Sequence, residues 1–337
     1  MTLSYKPLFM TTLILGTLMT ISANSWLGMW MGLEINLLSI IPLMNSSSNP
    51  LSSEASLKYF ITQTMASMFI ILTTLMLNFK IMSNNLMMNE LTNLMLLSSI
   101  FTKMGAAPFH YWFPQVMEGL TWFNSLIMLT WQKLAPMIIM FYLPFSSLIF
   151  LIILTSLMVS ALMGLNQTSM RKILTYSSIN HIAWMLSSIL FNEMIWFLYF
   201  LIYSITNFTM IMILQKYNIF SLSQMPQMTL KPQFKMLFML NFFSLGGIPP
   251  FIGFLPKWLI VQTLVEEKMH LLAGSLIMLT MLTLFYYMRI TMNSFNLLSG
   301  KTKSLIKQPF SPKKITMISM YLILSSLPYW TILLNWI

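Results

Sequence analysis

The sequence predicts an all-α polytopic membrane protein, and three observations support this prediction. Hydrophobic residues make up 57% of the 337 residues and charged residues only 7%, whereas soluble domains carry about 25% charged residues. Apolar stretches of about 20 residues, the length of helix that crosses a hydrocarbon core, recur along the chain. The segments between these stretches are too short to fold as soluble domains. We therefore expect one membrane domain over residues 1–337.

Eleven stretches have the length and composition of a transmembrane helix. They lie near 3–22, 26–44, 55–79, 89–108, 119–141, 145–165, 172–190, 194–215, 235–264, 270–296 and 315–335. The first carries a single basic residue, Lys6, and lacks a small-residue cleavage pattern. It is therefore expected to be a spanning helix and not a removable signal peptide.

The basic residues support a count of eleven spans, because an odd number of crossings separates them into two groups. Apart from Lys103, Lys133 and Lys257, which lie inside spans, all Lys and Arg residues except Lys80 and Lys268 then fall on the N-terminal side. Basic loops favour the side on which the chain is synthesised, so the N-terminus is expected there and the C-terminus opposite. The net charge of +11 is mainly this topology signal. It can also favour anionic lipid, and it is not a sign of nucleic-acid binding.

Two spans contain residues that break helices. The fourth ends in the segment Lys103 to Pro108, with one Gly and one Pro, and the ninth contains Gly246 to Lys257, with three Gly and three Pro. Proline removes a backbone donor, and groups freed in lipid must be satisfied by protein or by water in a cavity. If 1–141 and 145–296 are two five-helix repeats, with one further helix at 315–335, the broken spans occupy equivalent places. Because five is odd, the repeats would be inverted, and paired broken helices in inverted repeats indicate a transport site.

The apolar spans carry charged side chains, among them Glu34, Lys103, Lys133 and Lys257. An ionised residue at the centre of such a helix costs about 2.5–3.5 kcal/mol on insertion scales, so each should pair, reach the interface or have a function. Glu34 and Lys103 could form a buried pair that only orders the bundle, whereas the two other lysines have no carboxylate partner visible in the sequence. Desolvation disfavours a charged ammonium, so buried lysines can exchange protons. The pattern favours a proton relay.

Two histidines could take part in the same relay. His110 follows the first break, and His181 lies in the seventh span near Tyr176 and Ser177. Imidazole changes its charge near neutral pH, which suits a proton relay. A hydrogen-bonded structural role remains an equal alternative for both histidines.

The residue types exclude several kinds of site in this chain. There is no Cys, which rules out a disulfide framework and thiolate ligands for zinc or iron–sulfur clusters. The sequence has no glycine-rich nucleotide-binding motif and no paired-histidine metal motif. We therefore expect no redox centre, metal or other cofactor in the chain itself.

Three motifs, in order, resemble those of the antiporter-like membrane subunits of respiratory complex I. They are Lys103-x4-Pro-Phe-His-x-Trp-Phe-Pro114, Arg171-Lys followed by Tyr176-Ser-Ser-x2-His181, and Gly247-Ile-Pro-Pro-Phe-x-Gly-Phe-x2-Lys257. Members of that family commonly have fourteen helices, whereas eleven are predicted here. The resemblance implies a multi-pass protein of the mitochondrial inner membrane, with its N-terminus in the matrix and its C-terminus in the intermembrane space.

The resemblance also implies roles for the charged residues. Glu34 and Lys103 would be the pair of a first half-channel, Lys133 the central relay lysine and Lys257 the lysine of the second broken helix. His181, with Tyr176 and Ser177, would lie along the hydrated line between the last two lysines.

By the same resemblance, the chain would be a core subunit of a proton-translocating NADH:ubiquinone reductase. It would conduct or pump protons, driven by electron transfer from NADH to ubiquinone in other subunits. The flavin, the iron–sulfur clusters and the sites for NADH and ubiquinone would belong to those partners. The expected partners are the other membrane and peripheral subunits, together with lipids such as cardiolipin.

Two other functions remain open. One is a subunit of a multisubunit cation/proton antiporter, although a sodium site would need several buried oxygens and only one carboxylate lies within the spans. The other is a purely structural spacer within a larger membrane assembly.

Overall fold

The computed structural model describes residues 5–45, 49–80, 86–144, 146–226 and 232–295. The helices in these ranges are α1 (Tyr5–Ser22), α2 (Trp26–Met44), α3 (Pro50–Lys80), α4 (Leu86–Met104), α5 (Trp112–Gly119), α6 (Trp122–Leu129), α7 (Trp131–Met140), α8 (Ser147–Leu165), α9 (Met170–Ile189), α10 (Glu193–Tyr217), α11 (Pro232–Gly246), α12 (Phe254–Glu266) and α13 (His270–Phe295), with a 3-10 turn at Leu222–Gln224. Extended pairing in these ranges is limited to an isolated bridge between Ser169 and Ser221. The all-α class is confirmed for the described residues.

Five helices in the described part are long and apolar enough to cross a membrane. They are Trp26–Met44, Pro50–Leu77, Ser147–Leu165, Glu193–Tyr217 and His270–Ser294. The helix predicted at 315–335 lies outside the described residues. The count of eleven spans and the inverted repeats therefore stay predictions.

The structure corrects the expectation of one continuous helix over 119–141. Helix α6 ends at Leu129 and α7 begins at Trp131, and the dihedral angles of Thr130 between them, φ −116° and ψ −73°, depart from ideal helical values. The Thr130 hydroxyl donates to the carbonyl of Leu126 over 2.7 Å, a back-bond of the kind that bends helices. Pro136, six residues later, cannot donate to the carbonyl four residues before it. The segment before this span was expected to be a loop, whereas it contains the helix α5 (Trp112–Gly119).

The described residues form two compact units, which divide between Ile152 and Ile153. In the first, α1 packs along α2, α3 packs against α4 and α5, and α4 contacts α7. Small residues, Gly16, Thr17 and Gly32 among them, are buried between α1 and α2, which is typical of close helix packing in membranes.

In the second unit, helix α9 is buried on all sides. Every residue from Ile173 to Ile189 is buried, and α9 contacts α10, α12 and α13. A helix without an exposed face is typical of the centre of a bundle. The polar residues of α9 are therefore enclosed by protein.

Candidate functional site

Helix α4 ends one residue after Lys103, at Met104, in a Schellman motif. Gly105 follows the helix with φ +74°. Its N–H donates to the carbonyl of Thr102 (3.2 Å), and the N–H of Ala106 donates to that of Phe101 (3.1 Å). These bonds satisfy helix carbonyls and require a left-handed residue, which is usually glycine. The first predicted interruption is therefore present.

Helix α11 ends with the same pattern of hydrogen bonds. Gly247 has φ +81°, its N–H donates to Ser244 (3.1 Å), and the N–H of Ile248 donates to Phe243 (3.3 Å). The chain then turns through Pro249 and its neighbour before α12 begins. The second predicted interruption is also present, and it divides the predicted ninth span into two helices.

Lys257 caps the end of the helix that precedes it. Its side chain is only 5% exposed, and its ammonium donates to the carbonyls of Gly246 (2.7 Å) and Leu245 (3.3 Å) at the end of α11. Its Nζ also lies 5.6 Å from the ring centroid of Trp184. A cation at a helix C-terminus offsets the negative end of the helix dipole. The partners of this lysine, for which the sequence showed no carboxylate, are thus backbone carbonyls.

Lys133 lies on α7, just after the break at Thr130. It is 2% exposed, and its Nζ lies 5.8 Å from the ring centroid of Phe113. Its backbone N–H donates to the Thr130 carbonyl over 3.2 Å, three residues back instead of four. Like Lys257, this buried lysine lies beside an interrupted helix and an aromatic face, which can stabilise a cation.

Lys103 lies in the last turn of α4 and is 8% exposed. Within the described residues Glu34 forms no direct ion pair with it; the ion pair found there joins Lys58 and Glu54. The role of Glu34 and Lys103 as a pair stays a prediction.

A small polar cavity lies beside Lys103. It offers about 20 Å³ to the centres of water molecules and is lined by Leu33, Asn36, Leu37, Tyr59, Gln63, Lys103, Gln132 and Pro136. Within it, the Tyr59 hydroxyl donates to Oε1 of Gln132 (3.4 Å), and Nε2 of Gln132 donates to Oδ1 of Asn36 (2.9 Å). Residues of α2, α3, α4 and α7 therefore meet around one polar cavity.

The two histidines lie in different surroundings. His181 of α9 is buried, with Nδ1 2.7 Å from the Tyr199 hydroxyl and its ring 4.8 Å from that of Tyr203. His110 belongs to the first unit, where it stacks on Tyr111 with centroids 4.5 Å apart. The relay role of each histidine stays a prediction.

Tyr176 and Ser177 are both buried on α9. The Ser177 hydroxyl donates to the carbonyl of Leu174 over 2.8 Å. They lie within one or two turns of His181 on the same helix, as the sequence indicated.

Several uncharged polar residues near these sites were missed. Gln63, Gln132 and Tyr59 line the Lys103 cavity, and Asn241 is fully buried in α11. The signal was present in the sequence, because an amide inside an apolar span also costs free energy unless it is hydrogen-bonded. The sequence prediction applied this burial cost to the charged residues alone.

Comparison with known proteins gives a consistent family. The family model described as NADH:quinone oxidoreductase/Mrp antiporter, TM, matches residues 23–283. NADH-ubiquinone oxidoreductase chain 2 of Anopheles gambiae is 45% identical over 308 residues, covering 91% of this chain and 90% of that protein. The protein of the same name from Loxodonta africana is 38% identical over 317 residues, covering 92% and 91%.

Two solved structures share the fold. A chain of respiratory complex I from Thermus thermophilus with bound aureothin has a TM-score of 0.82 at 22% identity, covering 94% of this chain and 76% of that one. A chain of the Mrp complex from Dietzia sp. DQ12-45-1b has a TM-score of 0.77 at 15% identity, covering 91% and 62%.

Proposed function

The chain belongs to the chain 2 family of NADH-ubiquinone oxidoreductases, and from that premise we propose that it is a core membrane subunit of respiratory complex I. In this role it conducts or pumps protons across the mitochondrial inner membrane. Electron transfer from NADH to ubiquinone, in partner subunits that hold the flavin and iron–sulfur clusters, supplies the energy. The chain itself performs no bond chemistry. It contributes proton movement to a translocating enzyme.

One observation carries the proposal: three buried lysines each lie beside an interrupted helix. Lys103, Lys133 and Lys257 are 8%, 2% and 5% exposed. Burial of that degree is costly for an ammonium group unless it is compensated. Compensation here comes from aromatic rings, backbone carbonyls and a polar cavity, all of which leave the proton exchangeable.

Glu34 provides a means of control in this proposal. A charge about 8 Å away contributes roughly 2 kcal/mol at an effective dielectric near 20. Movement of the Glu34 carboxylate toward or away from Lys103 would therefore change the proton affinity of the lysine by a free energy of this order. A proton released there would continue through Lys133 and Lys257, with His181 as an accessory group.

The proposed setting follows the same family assignment. The N-terminus lies in the matrix and the C-terminus in the intermembrane space, as basic loops favour. The partners are the remaining membrane and peripheral subunits, and anionic lipids such as cardiolipin bind the basic side.

The test is the substitution Lys133→Met or Glu34→Gln in the assembled complex. We expect coupled turnover to fall at least tenfold for Lys133→Met, because the side chain keeps its length but cannot carry a proton. Lys268→Met, at an exposed loop residue, is the matched control and should behave as the wild type. Undiminished coupled turnover in an assembled Lys133→Met complex would contradict the relay.

The fold shared with the Mrp complex supports a second candidate, a cation/proton antiporter subunit. Sodium-dependent proton exchange in vesicles would favour this alternative. A structural spacer predicts a third outcome, in which neutralising the four charged residues of the spans lowers assembly and leaves activity per assembled complex unchanged.

A further inference from the structure

The Lys103 side chain lines the polar cavity and is only 8% exposed. Burying a charged group is costly unless it is hydrogen-bonded. The cavity volume of about 20 Å³ exceeds the 10–15 Å³ or so that one water molecule needs. A water molecule in this cavity would offer the Lys103 ammonium a hydrogen-bond acceptor.

Gln132 is the best-fixed polar group in the cavity wall. Its amide is held at both ends, by the Tyr59 hydroxyl (3.4 Å) and by Oδ1 of Asn36 (2.9 Å). It cannot rotate without losing both bonds. Each amide oxygen has two lone pairs, so Oε1 of Gln132 keeps one acceptor site for a further donor.

Gln63 gives a second, independent indication that a polar molecule binds in the cavity. Its side chain is 4% exposed, and in the described part of the chain its Nε2 has no hydrogen-bond partner. Buried polar groups in native proteins are nearly always paired with protein or ordered water. Gln63 lines the same cavity as Lys103.

We propose that this cavity binds a water molecule that accepts a hydrogen bond from Lys103, and that Gln132 is the positioning residue that holds it. The inference rests on the proposed relay role of Lys103. In the transfer step, an N–H bond of the ammonium breaks and an O–H bond forms on the water. This leaves a neutral amine and a hydronium ion, so charge is conserved. Gln132 fixes the water oxygen in line with that transfer and does not itself exchange a proton.

Gln132→Leu tests this role in the assembled complex, because it removes both hydrogen bonds at similar volume. We expect coupled turnover to fall about tenfold, equivalent to about 1.4 kcal/mol, with an increased solvent deuterium isotope effect. On a Lys103→Met background the same change should have no further effect. Gln262→Leu is the matched control, since Gln262 is exposed and donates to Glu266, and it should leave turnover and the isotope effect unchanged.

The outcomes separate this inference from the proposed function. If Lys103→Met itself leaves coupled turnover unchanged, the relay role of Lys103 fails and this inference fails with it. If Lys103→Met abolishes coupled turnover while Gln132→Leu does not reduce it, only the role of Gln132 is overturned. An additive loss in the double variant would also overturn it, since a merely structural residue would behave in that way.

A second measurement applies if Gln132→Leu does not assemble. A density map of the native complex that resolves ordered water should show a peak about 2.7–3.2 Å from Nζ of Lys103, the usual hydrogen-bond range. A map that resolves water elsewhere in the chain but shows this cavity empty would overturn the proposal.

Discussion

The substitution Gly247→Ala should displace the Lys257 ammonium from the helix end that it caps. A Cβ at this position would lie 2.7 Å from Cδ of Lys257, closer than real Cβ contacts, and 3.0 Å from its Nζ, tighter than most of them. Gly247 also has φ +81°, and a left-handed conformation costs an L-residue about 1–2 kcal/mol. Losing one hydrogen bond from a charged donor adds about 1.5–3 kcal/mol. Together these terms predict a destabilisation of about 2.5–5 kcal/mol.

The neighbouring glycine provides the matched control for this prediction. A Cβ on Gly246 would meet Leu284 at 3.4 Å and Tyr287 at 3.5 Å, which are ordinary contacts. Gly246 is the last residue of α11, and alanine is favoured over glycine in a helix by about 0.5–1 kcal/mol. Gly246→Ala should therefore be neutral or slightly stabilising.

The assay is thermal inactivation of NADH-to-ubiquinone activity in the solubilised complex, with the amount of assembled complex measured in parallel. Gly247→Ala should be inactivated at a lower temperature and should also turn over more slowly before heating, because Lys257 has moved. Equal behaviour of the two alanine variants would refute the steric argument. It would also show that Lys257 does not depend on this helix end for its position.

Three further variants test hydrogen bonds that fix helix ends. Asn124→Leu removes the 2.8 Å bond from Nδ2 to the Leu43 carbonyl at the end of α2 and should destabilise by about 1–3 kcal/mol; an unchanged thermal inactivation temperature would contradict this. Trp112→Phe removes the 3.0 Å bond from Nε1 to the Thr102 carbonyl and should lower the stability of the protein by about 1 kcal/mol. Hydrogen–deuterium exchange of the α4 backbone amides should then be faster than in the wild type. Arg289→Lys replaces a guanidinium that donates to two carbonyls at and just beyond the end of α8, at 2.6 and 2.8 Å; because an ammonium lacks the planar fork, assembly yield should fall, and a yield equal to wild type would count against the cap.

The sequence predicted the elements whose causes are local. Long apolar stretches indicated helices because the bilayer sets their length. The Gly–Pro segments after Lys103 and before Lys257 indicated two interruptions. At each of them a helix ends and a glycine in the left-handed conformation follows. These features depend on residues a few positions apart, so one sequence is sufficient to find them.

The missed features depend on contacts between distant residues. Gln132 bonds to residues 73 and 96 positions away in the chain, which no local pattern reports. The sequence showed no carboxylate partner for Lys257, and it could not show that the acceptors are backbone carbonyls made available by the end of another helix. The break at Thr130 combines a hydroxyl back-bond with a later proline, and neither alone predicts a helix end.

The central claim is that buried lysines of this chain carry protons for the complex. The most direct measurement is the number of protons translocated per NADH oxidised by vesicles containing complex with Lys133→Met, compared with wild type. The account predicts that this variant assembles and oxidises NADH when an artificial electron acceptor bypasses ubiquinone, but loses most proton translocation coupled to ubiquinone reduction. A Lys133→Met complex that translocates as many protons per NADH oxidised as the wild type would contradict the account.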